Sequence, residues 1–489
     1  MLALGMNFVT HVLTVRYLSK SDYGAFAYAL AVVSLGASVN LIGLQRAVSR
    51  FVPLYHERRD YGAMFGTLFL AVGSIVGLGV ALVALTFGVQ GLAVDSGIVK
   101  SQDSVGLLLI LIALCPLQAL DSVFQGVAAA LASPRAIFFR RHVLAPALKL
   151  TAVVVVLVVE GSVYLLASCY LIAGLIGVIV YVLLMTRIVR DQGLHTHLRR
   201  RTLSFPTRTI FGFSLPLLTA DVAVILKTTI AVFFLESLRG GTDVAEFRAV
   251  LSVAGLNLVV LQSFKMLFMP AATRLYERKD TAALNELYWQ SALWITVVTF
   301  PVFAVCVFLA QPVTVLLFEA EYANAGIVLA ILAAGSYFNA AMGLNTYALQ
   351  VQAQVGFLAF SNTMAVVIGL VLNLWLIPVH GATGAAIATT GAVVFQNIFN
   401  HAGLHWRTDV VIFEWRNWTV YGTVVCVLMA LFLARVLVDP SVAVFSALVV
   451  VGSFVLLRVH RRALRISDTF PELRRIPLLS SLFSLGERS

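Results

Sequence analysis

Long apolar runs constrain this chain more than any other feature. Stretches of about 18 or more residues with almost no charge recur along it, long enough for a helix to cross the hydrocarbon of a bilayer. The balance of residue types agrees: 60% are hydrophobic and 12% charged, where soluble domains carry about 25% charged residues. A water-soluble chain of 489 residues would form two or three domains and would need far more charge to cover its apolar interior. Lipid is the alternative solvent, and it requires every backbone polar group to be paired within the protein. Runs of this length meet that requirement as helices, not as the short alternating strands of a barrel. The expectation is an all-α polytopic membrane protein.

The runs predict fourteen helices, at 1–16, 23–52, 61–88, 105–133, 143–160, 162–186, 209–235, 248–273, 285–311, 323–350, 354–377, 381–404, 419–437 and 441–457. The first falls short of the usual span of about 20 residues. It is expected either to lie tilted in a thinned bilayer or to be the end of a helix that starts upstream. No basic segment precedes Leu2, so no cleaved leader is expected.

Charge gives the direction. The net charge of +11 would point to nucleic acid on a soluble protein, but here the basic residues sit in short segments between apolar runs. With the N-terminus inside, alternate connections hold most of the 34 lysines and arginines. Only Arg16, Lys20, Lys100, Arg239, Arg248 and Arg435 fall on connections of the opposite side. Acids are nearly even between the two sides. This bias places both termini in the cytoplasm of a cell-membrane protein.

The longest internal connection, 187–208, is basic and contains His195 and His197. No third ligand lies near that pair, so a hydrated loop facing anionic headgroups is the better reading than a metal site. It divides the chain into a bundle of six helices at 1–186, the linker, and a second six-helix bundle at 209–404. A terminal pair at 405–457 and a cytoplasmic tail at 458–489 follow. The halves share a charged turn after their second helix: Leu54-Tyr55-His56-Glu57-Arg58-Arg59-Asp60, and Leu275-Tyr276-Glu277-Arg278-Lys279-Asp280. Six helices per repeat is an even number, so both repeats enter the membrane in the same orientation, related by an axis along the membrane normal.

Cys115, Cys169, Cys306 and Cys426 lie in apolar runs without shared spacing and read as small buried hydrophobes. No phosphate-cradling Gly-rich Lys loop, nucleophile elbow or zinc-spaced histidine set occurs. No metal, cofactor or enzymatic activity is expected, and transport, if that is the function, is downhill or ion-coupled.

Helical periodicity gathers polar side chains onto stripes. In the fourth helix Gln118, Asp121, Ser122 and Gln125 span about 100°. Ser34, Ser38, Gln45 and Ser49 share a face of the second helix, Ser214, Asp221 and Thr228 of the seventh, and Thr389, Gln396 and Asn400 of the twelfth. Hydrogen bonding between helices in a solid bundle is the competing reading, chiefly for Ser and Thr. Asp121 and Asp221, near mid-membrane, point to a cavity or an ionic partner and are candidate ion-coupling residues. Lys227 and Lys265 lie about 12 Å inside their helix ends. Arg46, Arg50 and Lys149 sit nearer the cytoplasmic ends, where they can snorkel. Asp221 and Lys227 fall on different faces of one helix, so a partner for Lys227 is expected on another.

Several segments resemble a known family. The run Arg16-Tyr17-Leu18-Ser19-Lys20-Ser21-Asp22-Tyr23-Gly24-Ala25-Phe26 is similar to the first loop of the polysaccharide flippases. Gly43 to Phe51 resembles their second-helix exit, and Phe213-Ser214-Leu215-Pro216-Leu217 the opening of their second half. Asn373 to Pro378, followed by Gly381-Ala382-Thr383-Gly384-Ala385-Ala386-Ile387-Ala388, resembles their eleventh-to-twelfth helix turn. The resemblance covers nearly the whole chain and points to the oligosaccharide flippases of the multidrug, oligosaccharidyl-lipid and polysaccharide exporter superfamily.

It implies two bundles about a cavity and alternating-access transfer of a polyprenyl-(pyro)phosphate-linked oligosaccharide from the cytoplasmic to the outer leaflet, for lipopolysaccharide or exopolysaccharide export. The implied partners are that lipid-linked glycan, membrane lipids, and glycosyltransferases or a polymerase of the same pathway; no nucleic acid is implied. Each unpaired hydroxyl of a sugar costs kilocalories in hydrocarbon, so a polar groove is needed. Lys227, Lys265, Arg46, Arg50, Gln118, Gln125, Gln396 and Asn400 are expected to line it, with the cations on the phosphate. A peptidoglycan-precursor flippase, a drug or small-molecule exporter of the same fold, and a non-transporting envelope-assembly scaffold are the alternatives.

Overall fold

The computed structural model describes residues 2–95, 102–131, 138–191, 193–194, 203–342, 344–408, 415–438, 440–461 and 463–464. Arg135, His195, His197, Arg199 to Arg201 and most of the basic tail lie outside these residues. The described residues form helices: α1 (Leu2–Tyr17), α2 (Lys20–Leu41), α3 (Leu44–Glu57), α4 (Tyr61–Asp95), α5 (Gln102–Leu111), α6 (Leu114–Leu131), α7 (Ala145–Val159) and α8 (Val163–Asp191). They continue as α9 (Thr207–Leu238), α10 (Gly241–Ala254), α11 (Leu256–Glu277), α12 (Thr281–Phe308), α13 (Ala310–Phe318) and α14 (Ala325–Ala341). The last are α15 (Asn345–Val351), α16 (Val355–Arg407), α17 (Trp415–Leu437) and α18 (Val442–Val459). Eleven helical segments among the described residues are long and apolar enough to cross a membrane. The chain is a multi-pass membrane protein, and large apolar side chains such as Val158, Trp375 and Leu437 stand exposed on its helices, as lipid contact requires.

Several helices expected to be continuous are broken. The second predicted helix becomes α2 and α3, because Ile42 and Gly43 both adopt left-handed backbone, with φ of 48° and 66°. Gly takes that conformation freely, whereas a β-branched residue does so at a cost. The stripe drawn from Ser34 to Ser49 therefore changes phase at the break, and its two halves do not share one face. The fourth predicted helix divides into α5 and α6, the eighth into α10 and α11, and the tenth into α14 and α15. The predicted eleventh and twelfth helices run on as α16, which turns at Gly381 (φ 54°, ψ −131°). Arg248, assigned to a connection by sequence, lies inside α10. The polar opening Gly241-Thr242-Asp243 starts that helix seven residues before its apolar run.

Local chemistry sets the helix starts. Ser19 caps α2 by accepting the Asp22 N–H at 3.1 Å and donates to Asp22 Oδ2 at 2.8 Å. The two charged turns share one geometry. Arg59 and Lys279 are left-handed, with φ of 57° and 58°. Asp60 N–H donates to Tyr55 O at 2.9 Å and Asp280 N–H to Leu275 O at 3.0 Å. Each Asp then caps the next helix, accepting the N–H of Ala63 at 3.1 Å and of Ala283 at 3.0 Å. A repeat visible as a short charged run is thus a repeated helix–turn–helix connection, 55–60 matching 275–280.

The chain divides into two compact units, residues 1–249 with 373–385, and 250–372 with 386–489. Residues 209–249, which the sequence order assigns to the second bundle, thus cluster with the first unit. The core of the first unit is built from α3, α4, α6 and α9, through Leu44, Val48, Val52, Met64, Ile75 and Val123. In the second unit Trp294, Phe300 and Phe303 of α12 pack with Val420 of α17 and Phe445 of α18. The Trp294 indole N–H donates to Leu464 O at 3.0 Å. The terminal helix pair is therefore packed into the core of this unit. All four cysteines are free; Cys115 and Cys306 are buried as expected, but Cys169 is half-buried and Cys426 exposed. Cys426 lies on α17, most of whose side chains face outward.

Candidate functional site

The first unit carries a polar face on α3, α6 and α9. α3 packs on α6 where Gly126 comes against Ser49: a Cβ at Gly126 would stand 2.6 Å from Ser49 Oγ. Arg46, Ser49 and Arg50 on α3 and Gln118 on α6 are exposed, and Gln125 is half-buried. Elsewhere this protein exposes Leu, Val and Phe. Polar groups left open in such a chain mark a surface that must meet water or a polar ligand.

The charged residues on this face are paired. Arg46 Nη2 donates to Asp221 Oδ1 of α9 at 2.5 Å. Arg50 lies over the Phe213 ring, 4.8 Å from its centroid. Asp121 of α6 accepts from Arg140, whose guanidinium stacks on Tyr181 at 4.7 Å. The Arg140 side chain is 8% exposed and that of Asp121 38%, so the cation is the buried member. Lys227 is half-buried on α9, six residues beyond Asp221 and on a different face of that helix. Arg140 was visible in the sequence only as one charge of a basic connection. It is drawn inward because a π turn, Arg140–Leu144, precedes α7.

The remaining predicted residues belong to the second unit. Lys265 sits with its ammonium 4.5 Å from the centre of the Tyr347 ring, a favourable electrostatic contact. Gln396 and Asn400 join a buried carboxamide network. Gln396 Nε2 donates to Asn362 Oδ1 at 2.5 Å, Ser361 Oγ donates to Asn400 Oδ1 at 2.5 Å, and Asn400 Nδ2 donates to Thr346 Oγ1 at 3.0 Å. Asn397 bridges to Asn339 at 2.9 Å and accepts from Asn345 at 3.1 Å. Periodicity placed Gln396 and Asn400 on one face; that face is turned to neighbouring helices. Beside the network, Tyr288 Oη donates to Met342 O at 3.1 Å and Tyr421 Oη to Ala341 O at 2.7 Å. Two hydroxyls thereby satisfy carbonyls that the α14–α15 break leaves without helical partners. The second unit also contains an apolar cavity of about 560 Å³, lined by Trp289, Phe303, Tyr337, Trp418 and Tyr421 with His401.

Sequence reasoning missed Glu236, which is fully buried at the end of α9 and accepts from Ser104 Oγ at 2.8 Å. The available signal was an acid within the run Phe233-Phe234-Leu235-Glu236. It also missed Asp243, whose Oδ1 accepts the Ala382 N–H at 3.3 Å just beyond the turn at Gly381.

Broken helices, an exposed cationic face and a buried amide network, all within an apolar multi-pass chain, define a helical membrane-spanning fold. A family described as polysaccharide biosynthesis protein matches residues 1–275, and the chain belongs to that family. No curated protein matches the chain. Among solved structures, the lipid II flippase MurJ in an inward closed conformation is 13% identical, with a TM-score of 0.71, over 94% of this chain and 97% of that one. An inward-facing multidrug resistance MATE transporter of the MOP superfamily is 16% identical, with a TM-score of 0.65, over 83% of this chain and 94% of that one. A MOP superfamily transporter from Pyrococcus furiosus is 15% identical, with a TM-score of 0.51, over 83% and 94%. At these identities the likeness concerns the fold alone. It bears out the expected all-α polytopic fold.

Proposed function

We propose that this protein translocates a polyprenyl-(pyro)phosphate-linked oligosaccharide from the cytoplasmic to the outer leaflet by alternating access, without catalysing a covalent step. The observation that carries this reading is the hydrated face of the first unit, where Arg46 and Arg50 stand with Gln118 and Gln125. Amides hydrogen-bond sugar hydroxyls as both donor and acceptor. Guanidinium groups match phosphate oxygens in pairs. Membership of the polysaccharide biosynthesis protein family supports the sugar. In this reading the face's cations lie on the cytoplasmic side, as the bias of the basic connections supports, and the glycan is collected there. Lys227 and Lys265 are secondary phosphate contacts in this reading, and Asp121 and Asp221 are candidate sites for any coupling ion. Gln396 and Asn400 serve the scaffold.

Purified protein in liposomes with a labelled lipid-linked glycan tests the proposal. Glycan transfer to the outer leaflet above the protein-free rate is expected. Lys227→Gln and Lys265→Gln should fold but transport slowly, with partial recovery in Lys→Arg, since charge is kept while geometry changes. Transfer at the protein-free rate for every lipid-linked glycan offered would remove the proposal. The aromatic cavity of the second unit favours a second reading, export of a small apolar compound. Protein-dependent movement of such a compound, with no glycan transfer, would establish it.

A further inference from the structure

The contacts between α3 and α9 put a carboxylate on a guanidinium. At one end of the seam Gly43 meets the backbone of α9: a Cβ there would lie 2.5 Å from Ser214 O. Next comes the ion pair, with Arg46 Nη2 2.5 Å from Asp221 Oδ1 and both side chains open to solvent, 53% and 25% exposed. One turn further Arg50 stacks on Phe213, and Phe51 meets the same ring edge-on at 5.5 Å between centroids. Residues 43 to 50 span about 10 Å of helix. Over that length a close backbone approach and two guanidinium contacts join α3 to α9, beside the apolar packing of Leu44 and Val48 with Ile210.

A guanidinium recognises a carboxylate and a phosphate through the same fork of N–H donors. We propose that Asp221 is a resident stand-in for the phosphate of the cargo: it holds Arg46 in the empty protein, and a prenyl-linked phosphate or pyrophosphate displaces it and so unfastens α3 from α9. The inference rests on reading the cargo as a lipid-linked phosphate. A pyrophosphate brings more negative charge to Arg46 than one carboxylate does, and Arg50 one turn away can take its second phosphoryl group. The displaced Asp221 is already partly hydrated, so its release leaves no charge buried. Binding energy is then tied to a change of contacts, as a ligand must do to shift a conformational equilibrium. A purely structural ion pair makes the opposite prediction, because neutralising Asp221 would then disorder the site.

The test uses the full chain in nanodiscs with farnesyl pyrophosphate as the probe and farnesol as its uncharged control. Asp221→Asn should bind farnesyl pyrophosphate about fivefold more tightly than the unaltered protein, the equivalent of ~1 kcal/mol for loss of a hydrated competitor. Asp221→Glu should keep the original affinity. Arg46→Gln and the double variant should both bind weakly and to the same extent. Nitroxide labels on Glu57→Cys and Thr209→Cys, in a cysteine-free background, read the seam directly. Their distance distribution should broaden with farnesyl pyrophosphate, stay unchanged with farnesol, and be broad without ligand in Asp221→Asn. Should Asp221→Asn not accumulate, Asp221→Ser supplies the same comparison. Unchanged or weaker binding in the neutral variant, with normal binding by the unaltered protein, overturns the stand-in and leaves the cargo assignment intact. No binding of farnesyl pyrophosphate by the unaltered protein overturns the phosphate reading and the stand-in together.

Discussion

Asp121→Asn and Arg140→Met should not cost the same, although they remove the two ends of one ion pair. The Arg140 side chain is 8% exposed, over the Tyr181 ring and against Gly177, whereas Asp121 is 38% exposed. Neutralising Asp121 leaves a guanidinium buried without its anion. Breaking a fully buried pair costs about 3–5 kcal/mol. Partial solvent access at Asp121 lowers that figure, and about 2–3 kcal/mol is expected for Asp121→Asn. Replacing Arg140 by the apolar Met leaves a carboxylate that water already reaches, so the loss is mainly the ring contact, about 1 kcal/mol. The double variant should then resemble Arg140→Met, giving a coupling of about 2–3 kcal/mol between the positions. Unfolding in SDS–detergent mixed micelles, followed by tryptophan fluorescence, measures all three. Equal costs for the single variants, or a double variant equal to their sum, would refute the reasoning, because Arg140 would then be able to find water or another anion.

Three further outcomes follow from the same geometry. Gly24→Ala should prevent accumulation of folded protein, since its Cβ would overlap the Gly241 carbonyl oxygen, while Gly73→Ala on α4, with nothing within 4 Å, should be neutral; fluorescence-detected size exclusion reads both. Tyr421→Phe should cost about 1 kcal/mol in the same SDS titration by removing the shorter of the two hydroxyl bonds to Ala341 O, the other coming from Thr296 at 3.3 Å; an unchanged midpoint would show that the bond adds nothing. Cysteine at Arg200 in a cysteine-free background should react with an impermeant maleimide only from the cytoplasmic side, and labelling from outside would reverse the proposed topology.

The apolar runs dictated most of the architecture, because lipid leaves a long uncharged segment no structure but a helix. The two charged turns at 54–60 and 275–280 were equally legible, since an Asp after a left-handed residue caps a helix through local bonds alone. The breaks were not. Gly43 hints at one, but nothing local requires Ile42 to be left-handed, and the close approach of Gly43 to Ser214 of α9 is visible only in the fold. Within an unbroken helix such as α6, periodicity told which polar residues share a face; across the break at Ile42 and Gly43 it did not. It could not tell what that face meets, because helix phase is a property of a single segment and packing is a property of several. Gln118 and Gln396 carry the same side chain on similar stripes, yet one stands open and the other bonds to Asn362. Asp121 and Asp221 looked alike as acids in apolar runs, and only the fold gave each its own arginine, from residues 19 and 175 positions away. Pairing across such distances depends on where the chain returns, which is set by the packing of apolar surfaces and not by the charged residues themselves.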